Sequence, residues 1–348
     1  MTAQIAINGL GRVGRALVRI VRERDDLELV AINDQAKPAV LARLLAHDTL
    51  HGRYPGTVEA ADGALILDGV CVPVFGRDRP AGVPWEETGA KIVVEATGRF
   101  RSRAAAAEHL RDGARNGAVS RVVVSATAAD VDATFCVGLN HTLFDPERHR
   151  VVSNASCTTN CVAPLVRVLL DRFGLEHAQM QTVHCYTNSQ RLVDLADPSP
   201  TGDPRRARAA ALNIVPTTSD AAEALPLVIP EMAGRFDGVA YRVPVPDGSL
   251  VDLTVRLERD CDTGELRDAF REAAGGELSE ILAVTDEELV SSDFIGNPYS
   301  ATVDLPLVRR TGARSARVVA WYDNEWGYAN RLADLVAFLH TRHGDRND

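Results

Sequence analysis

The chain predicts an α/β fold in two parts: a doubly wound, mostly parallel sheet first, then an α+β region with a mostly antiparallel sheet. Three observations predict it. Gln4-Ile5-Ala6-Ile7 reads as a short buried strand that runs through Asn8-Gly9-Leu10-Gly11-Arg12-Val13-Gly14-Arg15 into the helical pattern Leu17, Val18, Ile20 and Val21. Strand and helix patterns keep alternating, with buried strands at 27–32, 91–94 and 121–124, which asks for parallel strands joined by crossover helices. Later, residues 251–257 alternate with period two and an amphipathic helix follows over 263–274, an order that suits an antiparallel sheet with helices on one face.

A length of 348 residues fits two domains. With 45% hydrophobic and 25% charged residues the chain can fill two packed cores, so disorder is not expected. A net charge of -10 argues against general nucleic-acid binding, which needs a positive face. No apolar run approaches the roughly 20 residues of a membrane span. The N-terminus enters a strand at once, without the charged and apolar regions of a signal peptide. Six cysteines in so long a chain do not make a disulfide framework, and a reducing cytoplasm is the default setting.

Gly9-x-Gly11-x-x-Gly14 between a strand and a helix is the context of a dinucleotide fingerprint in a Rossmann-type domain. Gly9 allows the tight turn, Gly11 lets backbone approach a pyrophosphate, and Gly14 lets helix pack on strand. The helix N-terminus, with Arg12 and Val13 in its first turn, offers N–H groups to the phosphates. Asp34 lies 20 residues after Gly14, at the end of the second strand, where a carboxylate accepts from an adenosine ribose hydroxyl. Its charge favours NAD over NADP by repelling a 2′-phosphate. A plain strand-end cap is the structural alternative for Asp34.

Asn154-Ala155-Ser156-Cys157-Thr158-Thr159-Asn160-Cys161 leads into the apolar run Val162, Leu165, Val166, Val168, Leu169 and Leu170, spaced as a buried helix. Ser156 or Asn154 can cap it, which sets Cys157 in the first turn. Unpaired N–H groups and the positive end of the dipole favour a thiolate there, the form of cysteine that attacks carbonyl carbon. Cys161 sits one turn on, but no second Cys or His cluster with ligand spacing accompanies the pair, so no metal is expected.

The string from Ala155 to Cys161, followed by Ala163-Pro164, resembles the active-site segment of the phosphorylating glyceraldehyde-3-phosphate dehydrogenase family, shared with the erythrose-4-phosphate dehydrogenases. Asp48-Thr49-Leu50-His51-Gly52, Glu95-Ala96-Thr97-Gly98-Arg99-Phe100, Thr182-Val183-His184-Cys185-Tyr186-Thr187-Asn188 and Trp321-Tyr322-Asp323-Asn324-Glu325 continue the resemblance. It implies an NAD-binding domain over residues 1–155, a catalytic domain over 156–327, and a terminal helix, 328–348, that returns to the first. It also implies Cys157 as nucleophile and His184 as its base. Arg77, Thr97, Gly98 and Ser125 are implied to line the dinucleotide, with Asn324 on the nicotinamide carboxamide and Tyr328 near the ring. For the substrate phosphate it implies Thr187, Arg206 and Arg242; for inorganic phosphate, Ser156, Thr158 and Ser219. The implied reaction is the NAD-dependent, phosphorylating oxidation of a phosphorylated aldehyde through a hemithioacetal and a thioester, in a cytoplasmic homotetramer.

Three departures from the family pattern stand out. Thr127 replaces the proline of Ser-Ala-Pro after Ser125. The stretch 195–204, with three prolines and a glycine, is about four residues longer than its counterpart, a loop that touches the neighbouring subunit's cofactor site in the family. Thr217-Thr218-Ser219-Asp220 stands where relatives have Thr-Thr-Thr-Gly, so Asp220 brings a carboxylate to an anion site. The alternatives are a paralogue acting on another phosphorylated aldehyde or hydrolysing the thioester, a second copy tolerant of a Cys-directed inhibitor, and a non-catalytic binding protein.

Overall fold

The computed structural model describes residues 2–111, 119–128, 130–196 and 203–344. The chain divides into two compact units, one of Met1–Val137, His141–Ala155 and Ala329–Asp348, the other of Gly138–Asn140 and Ser156–Tyr328.

In the first unit, β1 (Ala3–Asn8) is apolar and buried along nearly its whole length, as a strand covered on both faces must be. The glycine turn carries it into α1 (Arg12–Arg22) and β2 (Leu27–Asn33). Then come α2 (Pro38–Ala46) and the short ribbon of β3 (His47–Asp48) with β4 (Gly52–Arg53). The meander β5 (Val58–Ala61), β6 (Ala64–Leu67) and β7 (Val70–Phe75) forms one side of the sheet. The other side is built by β8 (Ile92–Glu95), α3 (Arg103–Ala107), β9 (Arg121–Val124), β10 (Ala133–Thr134) and β11 (Val151–Ser153). Strand order is β10-β11-β9-β8-β1-β2-β7-β6-β5. All pairs from β10 to β7 are parallel, and only the β7-β6-β5 edge is antiparallel. From β1 the chain goes to β2 on one side and returns to β8 on the other, so β1 and β8 flank the point where strand order reverses. Register aligns Asn33, Asn8, Glu95 and Val124 across four neighbouring strands. The residues that follow each of them therefore leave the sheet along one edge, the edge at which such sheets bind ligands.

In the second unit, α4 (Cys157–Phe173) is capped by Ser156, whose Oγ accepts from the Thr159 amide at 3.0 Å. It stops at Gly174, whose φ of 66° an L side chain rarely adopts. β12 (Leu175–Cys185), β13 (Val215–Thr218), α5 (Ala221–Val228), β14 (Phe236–Val243) and β15 (Ser249–Leu257) follow. Burial along β15 alternates residue by residue, so one face packs and the other does not. α6 (Thr263–Gly275) opens with a reciprocal Asp262–Glu265 cap. β16 (Leu282–Thr285), β17 (Ala301–Asp304), β18 (Arg309–Gly312) and β19 (Ser315–Tyr322) complete a sheet of order β13-β14-β12-β15-β19-β17-β16, with β18 on β19. It is antiparallel except at β12/β14 and β16/β17. α7 (Trp326–Gly344) belongs to the first unit from Ala329 on, where Leu332, Leu335, Val336 and Leu339 are buried and Asp334 pairs with Arg24.

Candidate active site

At the first unit's sheet edge the three glycines do different things. Gly9 has φ +99°, and a Cβ on it would lie 2.8 Å from Thr97. A Cβ on Gly14 would lie 2.2 Å from the Gly9 carbonyl oxygen, so helix and turn can approach only because it is absent. Gly11 faces open space and is the residue from which α1 starts, with no N-cap side chain bonded to the first N–H groups. Arg12 and Val13 fill that first turn. Arg12 is already engaged by Asp48: burial opposes the carboxylate, yet Arg12 and the His51 and Leu50 amides hold its pKa down at about 2.

Gly9, Asp34, Arg77 and Thr97 line one cleft of about 150 Å³, together with Asn8, Asn33, Gln35, Asp78, Arg99 and Phe100. Asp34 also pins the turn, accepting from the Leu10 amide at 2.8 Å and the Ala36 amide at 2.9 Å, so it caps the strand end as well as lining the cleft. Gly98 follows Thr97 with φ +71°. Ser125 leaves β9 on the same edge, its amide donating to the Glu95 carbonyl at 2.9 Å. Gly11 to Gly14, Gly98 and Ser125 are not part of the cleft lining.

In the second unit the start of α4 brings Cys157 Sγ to 3.5 Å from His184 Nε2, at the end of β12. Register across the sheet puts His184 beside Arg242 on β14, and Arg242 beside Val215 on β13. Arg242 Nη1 lies 2.6 Å from His184 Nδ1 and 3.1 Å from the Cys185 carbonyl oxygen, which is itself 2.8 Å from Nδ1. Two donors therefore compete for that carbonyl when Nδ1 carries the proton. In this tautomer the Nε2 lone pair is turned to the sulfur; in the other, Nδ1 accepts from Arg242, which can only donate, and Nε2 carries the proton. Burial drives the His184 pKa far down, and the Arg242 and Arg206 charges add to the effect, so the imidazole is neutral. Burial also pushes the Cys157 thiol up, against the pull of Arg242 and Thr158. Desolvation of the sulfur thus works against the thiolate that the helix start favours.

Around this pair, Thr158 Oγ1 bonds Tyr322 OH at 3.0 Å, and Thr182 Oγ1 bonds the same phenol at 2.9 Å. The Tyr322 ring stands edge-on to His184, with centroids 5.9 Å apart. The Ser156 hydroxyl is occupied by its cap and by Thr159 Oγ1 at 2.7 Å. Arg206 is buried, with Nε donating to Thr217 Oγ1 at 3.1 Å and Nη1 to Ser189 Oγ at 2.8 Å; Ser189 reaches Thr187 Oγ1 at 3.0 Å. Ser219 accepts from the Ala221 amide at 3.4 Å. Asp220 precedes α5 without capping it, is exposed, and makes no side-chain hydrogen bond or ion pair among the described residues. Its charge works on the Cys157 thiol against ionisation. Asn324 Oδ1 accepts from Ser249 Oγ at 2.8 Å and from Cys185 Sγ at 3.1 Å, which turns its Nδ2 away from them. Tyr328 is buried in the first turn of α7. Of the long 195–204 stretch, residues 197–202 lie outside the described residues, and Asp203 caps a short 3-10 turn over Pro204–Ala207.

Sequence reasoning passed over Tyr322, Cys185, Ser189 and Gln190. The amide of Gln190 is buried with neither end bonded among the described residues. Tyr322 and Cys185 stood inside strings already singled out; nothing in the sequence pointed to Ser189 or Gln190.

Residues 3–103 match the family described as glyceraldehyde 3-phosphate dehydrogenase, NAD binding domain, and residues 156–324 match its C-terminal domain. The chain is 50% identical over 340 residues to a glyceraldehyde-3-phosphate dehydrogenase of Kitasatospora aureofaciens, covering 97% of this chain and 99% of the relative. It belongs to the glyceraldehyde-3-phosphate dehydrogenase family. Family enzymes from Streptomyces coelicolor (46% identical over 341 residues, 97% and 99% covered) and Geobacillus stearothermophilus (44% over 339 residues, 97% and 98%) are similar along the same span.

As a member of the glyceraldehyde-3-phosphate dehydrogenase family the chain is an NAD-dependent oxidoreductase, and NAD is its cofactor. The first unit fits that group. A carboxylate rims the cleft, the turn has open space at Gly11, and no N-cap side chain bonds the start of α1. Among the described residues no helix is long and apolar enough to cross a membrane.

Proposed function

We propose that this enzyme oxidises glyceraldehyde 3-phosphate with NAD and inorganic phosphate to 1,3-bisphosphoglycerate, using Cys157 as nucleophile and His184 as base. The observation that carries this is the 3.5 Å contact of Cys157 Sγ with His184 Nε2 at the start of α4. The names of the relatives support the choice of aldehyde.

NAD, when bound, supplies the hydride acceptor; Gly9, Gly11, Arg12, Val13, Gly14, Asp34, Arg77, Thr97, Gly98, Ser125, Asn324 and Tyr328 are the residues proposed to hold it. The rest of the chemistry belongs to side chains. As the sulfur attacks the aldehyde carbon, its proton passes to His184 Nε2, which in the Nδ1–H tautomer turns its lone pair to the sulfur. A neutral imidazole can accept this proton, but a pKa held far down makes it a weaker base, so the thiol gives up its proton only as the new bond forms. His184 then returns a proton to the hemithioacetal oxyanion and removes it again as the carbon is oxidised, leaving a thioester on Cys157. Arg242 lacks acceptors: its Nε is buried with no hydrogen-bond partner among the described residues. A substrate phosphate meets that need, drawing Arg242 off Nδ1 and leaving the Cys185 carbonyl to the imidazole alone. Thr187 and Arg206 complete the proposed phosphate set. Inorganic phosphate, met by Ser156, Thr158 and Ser219, attacks the thioester carbon; the C–S bond breaks and His184 reprotonates the sulfur.

A second reading is favoured by Asp220, whose carboxylate opposes an anion near this sulfur: another phosphorylated aldehyde, such as erythrose 4-phosphate, or water as the attacking group. Steady-state rates over a panel of aldehydes, with and without phosphate, test both. Phosphate-independent turnover at the full rate would overturn the phosphorylating reading. Exposed Leu192, Val193, Leu195, Leu212 and Ile214 gather around the bonded segments 191–195 and 207–210 and support assembly with further copies; a homotetramer in the cytoplasm is what the family resemblance implies.

A further inference from the structure

Behind the first unit's cleft lies a chain of buried hydrogen bonds that the chemistry above does not use. Glu95 ends β8 and is 1% exposed; His109 is fully buried. Glu95 Oε1 accepts from the Thr97 amide at 2.9 Å and from the Thr97 hydroxyl. Its Oε2 accepts from Asn8 Nδ2 and from His109 Nε2, 3.0 Å away. The tautomer of His109 is fixed from its far side, because Trp85 Nε1–H can only donate, and it does so to His109 Nδ1 at 2.9 Å. Nε2 therefore carries the proton. All four contacts of Glu95 are donors, an arrangement a carboxylate satisfies and a carboxamide cannot.

The directions propagate. With its Nδ2 turned to Glu95, Asn8 presents Oδ1 to Asn33 Nδ2 at 2.7 Å. Asn33 is thereby oriented to give Nδ2 to the Arg77 carbonyl at 2.9 Å and to accept the Arg77 amide on Oδ1 at 2.9 Å. Asn8, Asn33, Arg77 and Thr97 all line the cleft.

We infer that Glu95 is a positioning residue for the dinucleotide: its charge sets the polarity of a hydrogen-bond chain, Trp85–His109–Glu95–Asn8–Asn33–Arg77, that holds the cleft wall in its NAD-binding form. A neutral amide at this position has no stable orientation. Turned to Thr97, its NH₂ meets a backbone N–H that cannot reverse. Turned to Asn8, it forces Asn8 to flip, then Asn33, and both Arg77 bonds are lost.

The test is NAD titration by calorimetry, without aldehyde, so that its outcome is independent of the reaction proposed above. Glu95→Gln is expected to weaken NAD about tenfold or more, the loss of one or two net hydrogen bonds. Asn8→Asp added to Glu95→Gln moves the carboxylate one link along. Asp at position 8 can accept from the new amide, from Asn33 Nδ2 and from His109 Nε2, which lies 3.3 Å from Asn8 Nδ2. The double variant is expected to bind NAD within about threefold of wild type, and Trp85 emission should shift in the single variant and return in the double. Unchanged NAD affinity in Glu95→Gln overturns the inference, and so does a double variant no better than the single. If Glu95→Gln alone does not fold, a folded double variant that binds NAD supports the assignment, and a folded one that does not overturns it.

Discussion

The buried polar cluster behind the dinucleotide cleft and the one around the sulfur are built on opposite plans. At Glu95 four donors meet one carboxylate, and the asparagines beyond it are paired end to end. At His184, Arg242 Nη1 lies on both Nδ1 and the Cys185 carbonyl, and Arg242 Nε has no partner among the described residues. A satisfied network is stiff and needs nothing. An undersupplied one, held in a low-dielectric site, is a standing demand for an anion. The first unit thus keeps a fixed shape for a cofactor, while the second reserves its donors for a substrate and for charge that develops during reaction.

The contrast can be broken by removing the centre of the second cluster. Cys157→Ser is expected to lower turnover by roughly 10³-fold or more while leaving NAD affinity unchanged, because the Glu95 network is untouched. Loss of NAD binding in calorimetry would show that the two clusters do not act separately. Next in size is Arg242→Gln. Losing charge-assisted bonds to a phosphate should raise the aldehyde KM by about 30- to 100-fold. The same change sharpens the electrostatic side. Arg242 pulls the thiol towards ionisation, so without it the alkaline rise of iodoacetamide inactivation should move to higher pH. A shift to lower pH contradicts the assignment.

A smaller effect is expected at Asp220. Like charges about 4 Å apart repel by roughly 1 kcal/mol in water, about fivefold in binding. Asp220→Asn should lower the phosphate KM by about that factor, less at high salt. It should also raise iodoacetate inactivation relative to iodoacetamide. Identical values in both enzymes would remove Asp220 from the argument. The last expected effect is on acid stability, not on the reaction. His184 is held neutral when folded but titrates near 6.5 when unfolded, so the unfolded chain binds more protons below that pH. Its contribution is intact above about pH 6.5 and is lost as pH falls. His184→Asn should flatten the fall in unfolding free energy by at most one proton, about 1.36 kcal/mol per pH unit. An unchanged slope would mean the imidazole is already protonated in the native state.

Local signals carried much of this. The spacing of Gly9, Gly11 and Gly14 states a steric need that the structure shows at Gly9 and Gly14, and Ser156 before an apolar run places a helix start where α4 begins. What stayed hidden was long-range. Glu95 is 87 residues from Asn8, and Tyr322 is 164 from Thr158. No period or motif encodes such pairs. The balance acting on Cys157 was hidden for a related reason: the helix start is a local property, whereas desolvation and the Arg242 and Asp220 charges depend on what packs around the sulfur.

The sequence by itself determined which backbones could form: a strand–glycine–helix turn, a capped helix carrying a cysteine, alternating strands, and the family to which these strings belong. Tertiary structure alone decided protonation and direction. It lowered the His184 pKa and raised that of Cys157 by desolvating them, and it gave each asparagine behind the cleft one orientation by placing a charge at the end of the row. Backbone preference is a short-range matter of sterics and capping. Charge state and hydrogen-bond polarity are set by desolvation and by partners that only the closed fold brings together.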